Sequence, residues 1–151
     1  YLDENNLRML TNFRYTFATL ANAFHERGED DRAREVLERA LSLMPNERVP
    51  FNAAIIPLIQ IYYSLGDNDN AAEIIRTYSN MLEQELDYFA VLSGENLRRM
   101  ALTRSDMSFA SRNLMSLYSI ATNFGDDELG QELMEILMKS EGNPGGMLPL
   151  R

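Results

Sequence analysis

Residues Leu20–Pro45 read LANAFHERGEDDRAREVLERALSLMP, and with Phe17 in front they describe two helices folded back on each other. Phe17, Leu20, Ala21 and Phe24 recur at helical spacing, as do Ala33, Leu37 and Ala40 beyond Gly28. Ala21 and Ala33 are small, so two antiparallel helices can approach closely there. Phe17, Leu20, Phe24 and Leu37 are expected to fill the space between them. Gly28 supplies the left-handed residue that ends the first helix. Asp30 or Asp31 is expected to cap the second helix and to suit its positive end. Pro45 ends it, since its ring cannot follow the turn.

With Arg14 counted as the first position of a unit of about 34 residues, this pattern of sizes resembles the tetratricopeptide repeat (TPR). The resemblance implies a helix–turn–helix scaffold. It implies no chemistry, because function must be argued from a site.

The same turn recurs. Gly66-Asp67-Asn68-Asp69-Asn70-Ala71 echoes Gly28-Glu29-Asp30-Asp31-Arg32-Ala33, and Gly125-Asp126-Asp127-Glu128-Leu129-Gly130 is a third, looser copy. Upstream, Leu7, Leu10, Phe13 and Phe17 extend the first helix back to about Asp3. In the second unit Tyr78 stands where a small residue is usual and Glu83 where proline is usual, so its second helix should run on to about Leu92. Pro57 requires that the preceding helix start late, capped at Asn52, or kink. Ser93-Gly94 breaks the pattern, which resumes at Leu97 and Met100 and runs to Phe124. The predicted fold is all-α: a TPR-like right-handed array of three antiparallel helical hairpins, about six helices, forming one domain over 1–140 with a flexible tail over 141–151. Such stacks bury each unit against its neighbours, so the outer faces of the end hairpins should be more polar.

Composition narrows the function classes. The 151 residues are 45% hydrophobic and 25% charged, ordinary for a globular domain. The net charge of −9 repels phosphate backbones, and there is no basic cluster with interleaved aromatics, so nucleic acid is not an expected partner. With no cysteine, thiolate chemistry, disulfides and cysteine metal sites are excluded. The longest apolar region, 53–63, contains Pro57 and Gln60 and is too short to cross a bilayer, so this chain is not expected to insert in a membrane. It begins at Tyr1, which suggests a piece of a longer protein.

No constellation for catalysis is legible. His25 is the one histidine and makes a poor metal site alone. The acidic turns lack calcium-loop spacing and read as helix caps. No nucleophile elbow or phosphate-binding glycine loop is present. The methionines sit mostly at helical spacing, as core filling. Neither an enzymatic role nor a cofactor or metal is expected.

A second resemblance covers most of the chain. The run 7–14 (LRMLTNFR), the helix from Phe17 to Gly28, Met44-Pro45 with Val49-Pro50, and Tyr62-Tyr63 before Gly66 resemble the soluble C-terminal region of a family of large multi-span membrane proteins of Bacteroidetes. That region is a domain of unknown function, and the family's N-terminal part is similar to lipid-phosphate-sugar-dependent glycosyltransferases. The resemblance implies a membrane protein C-terminal domain, held on the extracytoplasmic side of the inner membrane by a part that would precede Tyr1.

In TPR arrays the first helix of each hairpin lines a concave groove. The inward positions map to Tyr15, Ala18, Asn22 and His25, then Ala53, Ile56, Gln60 and Tyr63, then Arg112, Met115, Ser119 and Thr122. Of these, Tyr15, Asn22, His25, Ile56, Gln60, Tyr63, Arg112 and Met115 are the candidate binding residues. The lysine and asparagine of the carboxylate clamp found in some co-chaperone TPRs are incomplete: Asn22 matches, but Ala18 stands at the lysine position. The expected function is a module for protein–protein interaction that binds a protein or peptide segment, or a neighbouring domain of its own parent. Alternatives are a regulatory or substrate-positioning appendage of a membrane glycosyltransferase, and a self-association module forming a homo-oligomer. The long helix ending near Leu92 could also plug the groove.

Overall fold

The computed structural model describes residues 3–93 and 97–142, with side chains given outside 92–103 and 142. Gly94 and the tail beyond Gly142 lie outside the described residues, as do the side chains of Leu97 and Met100. Every element described is helical: α1 (Glu4–Glu26), α2 (Asp30–Leu43), a short 3-10 turn (Ala53–Ile55), α3 (Ile56–Ser64), α4 (Asn68–Ser93), α5 (Leu97–Asn123) and α6 (Asp127–Gly142). Among the described residues the fold is all-α with six α-helices. None of the described helices is long and apolar enough to cross a membrane.

The chain divides into two compact units, Tyr1–Ile74 and Ile75–Arg151, with the division inside α4. In the first unit α1 pairs with α2, and α3 packs on both. In the second, α5 pairs with α6. The predicted tail starts late, since Glu141 and Gly142 complete the last turn of α6.

Three turns share one geometry. Gly28, Gly66 and Gly125 have φ of 75°, 75° and 78°. The residue after each glycine donates its N–H to a carbonyl five residues back, Glu29 to Phe24, Asp67 to Tyr62 and Asp126 to Ala121, each at 2.9 Å. Each glycine N–H donates three residues back, to His25, Tyr63 and Thr122. That pair of bonds is the Schellman motif, which satisfies carbonyls a helix end leaves open. A Cβ on any of the three would meet nothing within 4 Å, so glycine is there for its backbone conformation and not for space.

Five residues after each glycine stands a small residue: Ala33, Ala71 and Gly130, all buried. At Gly130 the reason is space, because a Cβ would lie 3.0 Å from the Thr122 Cγ2. Ala21, Ala33 and Leu37 are fully buried between α1 and α2, where a Leu side chain contributes about 1.5–3 kcal/mol. In the second unit Leu114, Leu117, Leu129 and Leu133 form the corresponding core.

Pro57 is accommodated by a late helix start. The Asn52 Oδ1 accepts from the Ala54 N–H at 3.0 Å, the 3-10 turn follows, and Pro57 falls in the first turn of α3, where its missing N–H costs nothing.

Some sequence expectations fail for physical reasons. Leu20 is 45% exposed, because its flank of α1 has no helix packed on it. Phe13 is 48% exposed on that same flank, so the outer face of the first hairpin is apolar, not polar. Asp30 and Asp31 do not cap α2. They lie inside its first turn, and the cap residue Glu29 makes no side-chain bond to the helix. Asp126, by contrast, does cap: its Oδ1 accepts from the Leu129 N–H at 3.3 Å.

The largest departure is Arg14, which is 1% exposed. Its guanidinium donates to the carbonyls of Pro50 (2.8 Å), Met44 (3.2 Å) and Val49, and lies 5.3 Å from the centre of the Phe51 ring. The chain between α2 and α3 is thus wrapped around one side chain of α1.

Candidate functional site

α1 and α3 pack side by side in the first unit and leave an open cleft of about 330 Å³ between them. From α1 it is lined by Tyr15, Ala18, Thr19 and Asn22, which repeat at three- and four-residue intervals on one face. From α3 it receives Pro57, Gln60, Ile61 and Ser64.

Its floor and rim differ in chemistry. Ala18 and Ile61 are buried and apolar, and Pro57 is half-buried. Around them Tyr15, Thr19, Asn22, Gln60 and Ser64 are exposed. The Thr19 and Ser64 hydroxyls donate to the carbonyls of Tyr15 and Gln60, each at 2.9 Å, so toward a ligand they are acceptors. The Asn22 Nδ2 donates to the Glu26 Oε1 at 2.8 Å, which fixes the amide and leaves its oxygen as an acceptor. Gln60 offers both a donor and an acceptor. The lining is neutral throughout, with one aromatic ring at its edge.

The predicted site residues therefore separate. Tyr15, Asn22 and Gln60 come together on the cleft, with Ala18 at its base. His25 turns away: its Nδ1 lies 2.8 Å from the Asp30 Oδ1, tying the end of α1 to the start of α2. Ile56 is half-buried outside the lining, and Tyr63, expected in the groove, is 4% exposed. Arg112 and Met115 belong to α5 in the second unit. Both are exposed, with Arg112 bonded to the Ser108 carbonyl at 3.3 Å and stacked on Phe109.

The chain matches no known protein family, no curated protein and no solved structure.

Thr19, Pro57 and Ser64 escape a reading based on repeat positions alone. The hydroxyls carry a signal in hindsight: Thr19 and Ser64 each sit one turn after a lining residue, Tyr15 and Gln60. Tyr62, buried on α3 and outside the cleft lining, has its hydroxyl pushed up to about 12 by burial, with Asp67 and Glu38 nearby. It is neutral at physiological pH.

Proposed function

We propose that this chain is a TPR-like helical-repeat module that binds an extended peptide segment in the α1–α3 cleft. The observation that carries the reading is the meeting of Tyr15, Ala18 and Asn22 with Gln60 on one open surface. These are the inward positions of successive first helices in such an array, and they stand over a common apolar floor. The three Schellman turns, with glycine φ of 75°, 75° and 78°, support the repeat architecture. A narrow apolar floor with a rim of neutral amides and hydroxyls suits peptide backbone, whose N–H and C=O groups need partners while small side chains fill the base. It suits a polyanion poorly, since no cation lines the cleft and the chain carries −9 overall. A neighbouring domain of a longer parent would present such a segment as readily as a separate protein.

The test is selection of a random peptide library displayed on phage against the full chain. Recovered peptides are expected to bind Gln60→Ala and Tyr15→Ala about tenfold more weakly than the parent, which is the loss of one anchor contact. No enrichment, or binding unchanged in the double variant, would refute the reading.

A further inference from the structure

The first and last hairpins share their turn, and this shared frame relates two open surfaces. Counted from Gly28 and Gly125, Ala33 corresponds to Gly130, Arg34 to Gln131 and Leu37 to Met134. On the first hairpin Ala33 and Leu37 are fully buried, α3 packs on both helices, and the Arg34 Nη2 donates to the carbonyl of Leu65, just past the end of α3, at 2.8 Å. On α5–α6 the same positions line an open hollow of about 340 Å³, together with Tyr118, Thr122 and Asp127.

The helix that fills such a seat has a counterpart too. Counted from Gly66 and Gly28, Ile55 at the end of the 3-10 turn and Leu58 and Tyr62 of α3 correspond to Phe17, Leu20 and Phe24 of α1. These three are buried, and Tyr62 lies close enough to Glu38 of α2 to feel its charge. In the α1 trio Leu20 is 45% exposed and Phe17 and Phe24 are half-buried, with the Arg32 guanidinium 5.6 Å from the centre of the Phe24 ring, and exposed Phe13 extends the stripe.

We infer that a second copy of this chain docks its α1 flank into the α5–α6 hollow, repeating between molecules the packing of α3 on α1–α2. The internal interface supplies the register. Leu65, just before Gly66, corresponds to Arg27, so Gln131 takes the place of Arg34 and donates to the Arg27 carbonyl of the incoming copy. Charge agrees with this register. It brings the exposed Arg27 side chain to the first turn of α6, where Asp127 is exposed. The two surfaces differ, so the contact is head-to-tail and leaves a free seat and a free flank at the ends of every assembly.

Sedimentation velocity of the full chain, run from low concentration to about 1 mM, the weak limit of useful association, tests this. The average mass should climb past that of a dimer without a plateau. Leu20→Glu and Met134→Glu, each checked for unchanged helical content, should be monomeric alone. Mixed in equal amounts they should form a dimer that grows no further, because one intact flank meets one intact seat. If Met134→Glu loses helical signal, Asp127→Arg, at an exposed position, replaces it, because it sets like charge against the incoming Arg27. A wild-type monomer throughout would overturn the inference. So would a Met134→Glu chain that still dimerises, which would mean that α1 pairs with itself.

Discussion

Arg14 donates to the Pro50 carbonyl at 2.8 Å from a position 1% exposed, so a charge in the interior of the first unit organises backbone 36 residues away. The fork geometry matters: two nitrogens of one planar group reach Pro50, Met44 and Val49 together, while its face lies against Phe51.

Arg14→Lys keeps the charge but cannot reach all three carbonyls. It should cost about 2–4 kcal/mol, since hydrogen bonds to charged groups are the strong ones and buried acceptors are left unpaired. The urea midpoint should fall with an unchanged slope. A loss below about 1 kcal/mol would mean that water replaces the guanidinium.

Ala33→Leu and Leu20→Ala separate buried from exposed positions on the same hairpin. Ala33 is fully buried, so the larger side chain should overpack the α1–α2 contact and cost about 1–3 kcal/mol. Leu20 is 45% exposed, and its truncation should stay near 0.5 kcal/mol or roughly that range in dilute solution. Thermal melts at low protein concentration check both. Equal losses would contradict the packing described.

Gly66→Ala should cost about 1–2 kcal/mol through backbone conformation alone, because φ is 75° and the added Cβ meets nothing within 4 Å. Gly66→Asn should recover part of that, since Asn tolerates the left-handed region. Equal losses for Ala and Asn in chemical denaturation would point to a steric cause instead.

Tyr62 gives an alkaline signature. Its pKa is raised from 10.0 to about 12 in the folded chain, first by burial and then by Asp67 and Glu38. Between those values the unfolded chain has lost the proton that the folded chain retains, so stability falls as pH rises through the window. Below pH 10 the contribution is fully present. Tyr62→Phe should flatten the pH dependence of the urea midpoint between pH 10 and 12 relative to wild type. An unchanged slope would mean that the hydroxyl is solvated.

The bilateral pair of Arg76 with Glu132 joins α4 to α6 through two bonds, at 3.0 and 2.9 Å. The Arg76 hydrogen bond holds the Glu132 carboxyl below its ordinary range. Both side chains are nearly half exposed, so Glu132→Gln should cost no more than about 1 kcal/mol, as exposed pairs do. The difference from wild type should be present above the ordinary carboxylate pKa and vanish in acid as Glu132 is protonated. A difference that persists in acid would show that packing, not charge, is lost.

Helix positions were legible in the sequence because the punctuation is chemical. A glycine after an amphipathic run, followed five residues later by a small residue, marks a close antiparallel turn at Gly28, Gly66 and Gly125 alike. Asp3 also caps α1 as expected, accepting from the Asn6 N–H at 2.8 Å. Tertiary context was less legible. Leu20 has the right periodicity for a core but lies on a flank that no helix covers. Arg14 looks like a surface charge in any polar–apolar pattern, and nothing local signals that three carbonyls wait for it across the unit. Tyr63 and His25 share a repeat position, yet one is buried and the other is drawn to Asp30. The cleft was legible in part, as Tyr15, Ala18, Asn22 and Gln60. Its hydroxyls were not, because Thr19 and Ser64 face it from positions that the repeat pattern leaves unassigned.

The most direct test of the cleft is chemical-shift mapping of the isotope-labelled chain, titrated with one peptide recovered by the library selection. The largest shifts should fall on Tyr15, Thr19, Asn22, Gln60 and Ser64. Shifts confined to α5 and α6, with the α1–α3 face silent, would contradict the account.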